Sequence, residues 1–347
     1  MSREPSARSV LVLLLTFLLA PAGARGGDAP PDDAPVAIPL RDGAPGIGFD
    51  DLRYAPGLRR VLVPAGRTGR LLLLDPETRA VVAIGGFQAR DRYAGGHDFG
   101  VTSADAGADL LFATDRTARR LVVVDPRRLA VVSSAPLAAE PDYVRYVSGH
   151  QLWVTEPAAE QIEVFALASP ASPPARVGAI PVPGGPESLA IDPGRGRAFT
   201  NLWRGRTVAI DLAGRRVVAD WPNGCRGSRG IALDEASGRV LVACAEGAVT
   251  VLDAPHGGTR LSQAAVGRGV DAIAWSAALR HVYAPAARAA TLTILALSPS
   301  GRLSRLAIVS VAEGSHCAVA DEKGRVFVCD PARGRLLEVR DPGARGP

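Results

Sequence analysis

Residues 230–253 read Gly230-Ile-Ala-Leu-Asp234, then Gly238-Arg-Val-Leu-Val242, then Val249-Thr-Val-Leu-Asp253. Each run is short, rich in β-branched and aliphatic side chains, and bounded by Gly, Asp or Ser. That is strand chemistry with turn chemistry between the strands. The same unit recurs upstream as Leu189-Ala-Ile-Asp192, Gly196-Arg-Ala-Phe199 and Val208-Ala-Ile-Asp211. Downstream it recurs as Ala318-Val-Ala-Asp321, Gly324-Arg-Val-Phe-Val328 and Leu336-Leu-Glu-Val339. Looser copies are Val61-Leu-Val63 with Leu71-Leu-Leu-Leu-Asp75, Leu110-Leu-Phe112 with Leu121-Val-Val-Val-Asp125, Leu152-Trp-Val154 with Ile162-Glu-Val-Phe165, and Val282-Tyr283 with Leu292-Thr-Ile-Leu295. The chain therefore carries seven copies.

Each copy supplies four strands. One four-stranded antiparallel sheet leaves apolar faces exposed, and stacking such sheets radially buries them. The expected fold is all-β, a seven-bladed β-propeller of four-stranded antiparallel blades. The repeats are too long for a β-helix. Asp75-Pro76, Asp125-Pro126, Asp192-Pro193 and Asp330-Pro331 place Asp first and Pro second, as a type I turn prefers. The seventh copy runs out of sequence after its third strand, near Arg340, while Val36–Leu40 is an orphan strand ahead of the first copy. The N-terminal strand is therefore expected to complete the last blade and close the ring.

The first residues read as a targeting segment rather than as fold. Arg3 and Arg8 precede a short apolar stretch, Val10–Ala20, and Ala22-Gly23-Ala24 has the small-x-small pattern of a signal peptidase site. The stretch is shorter than the roughly 20 residues of a membrane span. Residues 1–24 are expected to be a signal peptide, 25–35 a Gly/Ala/Pro/Asp linker, 36–341 one propeller domain and 342–347 a tail. The uncleaved-anchor alternative stays open. No Cys follows the site, which disfavours a lipoprotein anchor. The expected location is the bacterial periplasm or medium, without a membrane span once the signal is removed, as a monomer.

The formal net charge is +5, nearly all the positive charge is Arg, and Lys323 is the one lysine. These Arg residues are dispersed among carboxylates rather than gathered into a stripe, so nucleic acid is excluded as the expected partner.

The segments Gly185-Pro-Glu-Ser-Leu-Ala-Ile-Asp-Pro193, Ser228-Arg-Gly-Ile-Ala-Leu-Asp234 and Gly324-Arg-Val-Phe-Val-Cys-Asp-Pro331 resemble YVTN-type propeller repeats, those of YncE-like periplasmic proteins. The resemblance runs from Val36 to Asp341. It departs from the family in lacking a Tyr-Val-Thr-Asn tetrapeptide, and only Asn201 stands where that family often has Asn. It implies the fold and a periplasmic setting, and carries over no catalytic residue.

Antiparallel strands alternate in direction, so the start of each blade's first strand lies on one face around the central channel. Aligning those starts gives one column: Asp50, Asp98, Asp142, Glu187, Arg229, Asp271 and His316. Every member is ionisable. One reading is a channel-mouth site for a divalent cation or a cationic ligand, since converging carboxylates repel each other and a cation relieves them. The other is structural: acidic residues capping loop amides or pairing with neighbouring Arg. His97 and Asn201 fall beside the column as second-rank candidates; His150, His256 and His281 fall elsewhere.

Four cysteines suit an exported chain. Counting through the Glu322-Lys-Gly324 turn sets Cys317 opposite Cys329, and Cys225 shares a face with Cys244. The expected disulfides are Cys225–Cys244 and Cys317–Cys329, with free thiols as the alternative. Trp153, Trp203, Trp221 and Trp275 read as packing residues, Trp203 being placed near a loop where exposure is open.

No Gly-x-Ser-x-Gly, His-Glu-x-x-His, phosphate-cradling Gly loop or haem Cys-x-x-Cys-His occurs. The expected function is a binding or interaction propeller that offers its channel face to a small ligand or a periplasmic protein, without a catalytic residue. The alternative is a metal-dependent hydrolase or lactonase, or an accessory to a periplasmic oxidoreductase, using the ionisable ring.

Overall fold

The computed structural model describes Met1, residues 34–169 and residues 172–344. The expected signal peptide, nearly all of the linker and the last residues of the tail lie outside them. Seven four-stranded antiparallel sheets follow one another along the chain. Their innermost strands are Arg53–Ala55, Val101–Gly107, Val144–Val147, Ala190–Asp192, Ser228–Asp234, Ala274–Ser276 and Ala318–Ala320, in blades one to seven. This is the propeller read from the repeats.

Closure also follows the sequence. Val36–Pro39 pairs antiparallel with Arg335–Arg340, Val36 opposite Glu338 and Pro39 opposite Arg335, as the outer strand of blade seven. Ile38 turns inward and joins Leu40, Val61, Leu72, Phe327 and Leu336 in the apolar layer between blades seven and one.

Within blades, the second and third strands are buried on both faces. Leu71–Leu74 and Arg325–Asp330 are buried throughout, which is why they are continuous apolar runs rather than alternating ones. The outer strands alternate, as in Arg216–Pro222. In five blades the third and fourth strands share a register shift at one place, as between Val164 and Phe165 or Ala209 and Ile210. Such a bulge increases local twist and turns the outer edge. The acidic residue ending the third strand caps the following turn: Asp75 Oδ1 accepts from Glu77 N at 2.8 Å, and Asp125 Oδ1 from Arg127 N at 2.8 Å.

Cys225 and Cys244 are bonded, with Cα atoms 5.1 Å apart and a sequence separation of 19. Closing a loop of that length restricts the unfolded chain by about 3 kcal/mol. Replacing both by Ala is expected to lower the unfolding free energy by that amount in urea denaturation; an unchanged midpoint would show that the bond contributes nothing.

The expected Cys317–Cys329 disulfide is corrected: both cysteines are buried free thiols. The strand register does oppose them, since Cys329 N donates to Cys317 O at 3.1 Å. The Cys329 sulfur is instead engaged by amides, Cys317 N at 3.2 Å and His316 N at 3.4 Å.

Candidate functional site

The inner strands and the loops before them bring Asp50, Asp142, Glu187, Arg229, Asp271 and His316 around one end of the channel. Arg229 Nε lies 3.8 Å from Glu187 Oε1 and 3.7 Å from Asp271 Oδ1, bridging blades four and six. Arg116 Nη1 donates to Asp142 Oδ1 at 3.2 Å, and its Nε donates to Glu140 at 2.6 Å. Trp203, half exposed, donates its indole N–H to Glu187.

Asp98 is not part of this ring; it is exposed. The column slips in blade two. Ser103 N donates to Thr114 Oγ1 at 3.2 Å, as Tyr143 N donates to Thr155 Oγ1 at 2.9 Å. The residue equivalent to Asp142 is therefore Thr102, buried and four residues beyond Asp98. The extra loop length lays His97 across the mouth. Its Nδ1 lies 3.4 Å from Asp50 Oδ2, its Nε2 3.5 Å from Asp271 Oδ2, and its ring stacks on His316 with centroids 5.1 Å apart. The second-rank histidine is thus at the centre of the cluster. Asn201 is a buried brace: its Nδ2 donates to the carbonyls of Arg229 (2.6 Å) and Gly230 (3.1 Å), and its Oδ1 accepts from Thr207.

Both ring nitrogens of His316 face carbonyl oxygens, Nδ1 to Gly314 at 2.7 Å and Nε2 to Phe49 at 2.8 Å. A carbonyl only accepts, so both nitrogens carry protons and the ring is an imidazolium. Its pKa is accordingly raised: burial opposes the charge, but Cys329, Asp271 and the Gly314 carbonyl favour it. His97 is raised to about 9, chiefly by Asp50. Asp50 is lowered, its burial being outweighed by His97, Arg116 and His316. Asp142 and Glu187 go the other way. Burial raises both, with the neighbouring carboxylates adding to it, and Glu187 reaches about 8. The Arg partners, Arg116 and Arg229, lower the two values without offsetting this.

The sign of the pH effect follows. Glu187 takes up its proton more readily folded than unfolded, so its contribution declines as pH rises from about 4.5 through about 8. The stabilisation from His97 is complete below about 6.5 and is lost as pH rises through about 9. Both act in one direction. The melting temperature is expected to fall by several degrees between pH 6 and pH 9 (roughly 2–4 °C for each kcal/mol), and Glu187→Gln is expected to flatten that decline in a calorimetric pH series.

Beneath the ring lies a second layer that the sequence reading did not single out. Arg145 is buried and grips Asp51 with two bonds, Nη1 to Oδ2 at 2.6 Å and Nη2 to Oδ1 at 3.0 Å; its Nε donates to the Leu189 carbonyl at 3.0 Å. It thereby links blades three, one and four. Ser103 Oγ also donates to Asp51 at 2.6 Å. The available signal was an Arg in an inner-strand position where the better repeats carry Ala190, Ala232 and Ala274. Beyond this layer the channel opens into a cavity of about 360 Å³ lined by small apolar residues such as Ala190, Ala232 and Ala318 together with charged ones, among them Arg53, Arg145, Asp321 and Glu322. The cavity starts directly beside the ionisable cluster, since Asp51, Tyr143, Gly230 and Ala272, each next in sequence to a ring member, line it.

No protein-family model and no curated protein matches the chain. Solved structures do. A chain of the mitotic checkpoint complex superposes with a TM-score of 0.73 at 13% identity, covering 95% of this chain and 99% of that one. The Swd1 (Cps50) β-propeller domain of Myceliophteria thermophila gives 0.71 at 14%, covering 88% and 98%. Kuenenia stuttgartiensis hydrazine synthase gives 0.69 at 14%, covering 86% and 96%. At these identities the likeness is one of fold, and the chain is a seven-bladed β-propeller of the general WD40 shape.

Proposed function

We propose that this propeller is a binding module whose channel mouth takes a positively charged group, an ammonium or guanidinium presented by a protein partner or a small ligand. The observation that supports this reading is the convergence of carboxylates at the mouth. Asp50, Asp142, Glu187 and Asp271 gather from four blades, and burial, with the neighbouring carboxylates, pushes Asp142 and Glu187 towards their protonated forms. An arriving cation would be attracted to these carboxylates in a partly desolvated setting and would release those protons. Half-exposed Trp203, already bonded to Glu187, offers an indole face beside the charge.

A partner protein fits the fold class, since one structural neighbour belongs to a multi-protein checkpoint complex. Export to the periplasm and kinship with the YVTN-type repeats remain part of the proposal, on the strength of the N-terminal pattern and the quoted repeat segments. The hydrolase reading is not adopted. The structural neighbours, at 13–14% identity, share the fold and carry no reaction to this chain.

L-argininamide is a suitable probe because it presents a guanidinium without a carboxylate. It is expected to raise the melting temperature of the wild-type protein, and Glu187→Gln combined with Asp142→Asn is expected to abolish the rise. An equal rise in wild type and double variant would place the binding elsewhere.

A further inference from the structure

Beside the mouth, three donors that the proposed cation site does not use come together: the sulfurs of Cys317 and Cys329 and the imidazole of His316. One ligand atom from each lies within 4.8 Å of the other two. Cys317 and Cys329 face each other across the first two strands of blade seven, both fully buried and unbonded. His316 Nδ1 is 3.8 Å from the Cys329 sulfur. We propose that His316, Cys317 and Cys329 form a binding site for a thiophilic d10 metal ion, copper(I) or zinc(II).

Two of the donors, Cys329 and His316, have the environment a ligand needs. The Cys329 sulfur accepts two amide N–H bonds, at 3.2 and 3.4 Å, which favour its thiolate, the form that binds metal. A metal-bound histidine usually donates its other N–H to a carbonyl or carboxylate, fixing tautomer and ring orientation. His316 does so already, from Nε2 to Phe49 O at 2.8 Å. The proton on Nδ1 occupies the place of the ion, and the bond from that nitrogen to Gly314 O is the contact that metal binding gives up. Binding releases the Nδ1 proton and any thiol protons, with no change of oxidation state.

Two thiolates and one imidazole are soft donors, which select copper(I) and zinc among common cellular ions. Copper(I) is completed by three donors. Zinc takes a fourth ligand. The antiparallel pair also holds the two cysteines without a bond between them, so the donors need no opening of a disulfide.

The test uses the whole mature protein, purified without chelator and kept anaerobic. Copper(I) is titrated against a coloured copper(I) chelator, and zinc(II) against a coloured zinc chelator. One equivalent is expected to bind, and the arm with the tighter competition names the ion. Cys317→Ala and Cys329→Ala are each expected to weaken binding by more than the roughly tenfold to hundredfold that loss of a supporting outer group costs. Because buried substitutions can disturb folding, wild-type protein is also loaded with cadmium(II), where a near-ultraviolet thiolate-to-metal band of two-thiolate intensity is expected. No stoichiometric binding, binding unaffected by either substitution, or a mass short of two hydrogens through a Cys317–Cys329 disulfide would overturn the site. Glu187→Gln with Asp142→Asn should leave metal binding intact, so failure of the cation-binding proposal and failure of this one are told apart.

Discussion

Arg145→Ala is expected to lower the unfolding free energy by about 3–5 kcal/mol, among the largest single-residue effects in the chain. The guanidinium and the Asp51 carboxylate are both buried, 5% exposed in each case, and they satisfy each other through two hydrogen bonds. Removing the cation leaves Asp51 with only Ser103 as a side-chain donor, an ionised group in a partly dry channel. It also frees the Leu189 carbonyl of its bond from Arg145. Asp51→Ala should cost a similar amount, leaving the guanidinium uncompensated. The double variant should lose clearly less than the sum, because neither charge is then left alone. Urea unfolding of the four proteins measures this. Strict additivity would mean that the pair is not coupled and that its bidentate geometry is not maintained in solution.

Loss of the closing strand is expected to be more drastic. A chain starting at Gly43 lacks Val36–Pro39, so Arg335–Arg340 becomes an open sheet edge. Ile38 and Leu40, 2% and 7% exposed, leave the layer between blades seven and one. Full burial of two such side chains contributes about 3–6 kcal/mol, a large share of the 5–15 kcal/mol that keeps a typical protein folded. Aggregation or loss of cooperative unfolding is expected on expression. Ile38→Asp, which keeps the backbone pairing but buries a charge, should be destabilising by a smaller but still large margin. If the truncated chain melts like the full one, the ring does not depend on this strand.

These outcomes also show which parts of the molecule can be read from residues alone. The blades were legible because the third strands are mostly apolar runs, in several blades followed by a turn-capping acid, as in Leu71–Leu74 before Asp75. Closure was legible by counting strands against sequence. Six of the seven column positions at the mouth were legible because their blades keep nearly constant spacing. Blade two broke the count: its longer entry loop moved the true position to Thr102, a residue with no charge to attract notice, and swung His97 over the channel. Asp51 and Arg145 are 94 residues apart, and no local pattern joins them. For the cysteines the sequence could settle opposition but not bonding. Both pairs lie on paired strands or the loop beside them, and only the surrounding donors, two amides at the Cys329 sulfur, distinguish a thiol from a half-disulfide.

The proposed cation site stands or falls on how binding varies with pH. Isothermal titration of L-argininamide into the wild-type protein at pH 6 and at pH 9 tests this directly. Glu187 gives up its proton only near pH 8 and His97 near pH 9, so the mouth becomes more negative across that interval. Binding should therefore tighten by about tenfold or more for each 1.4 kcal/mol gained, and Glu187→Gln should remove much of the gain. Binding of equal strength at both pH values, or none at either, would contradict a channel mouth built to receive a cation.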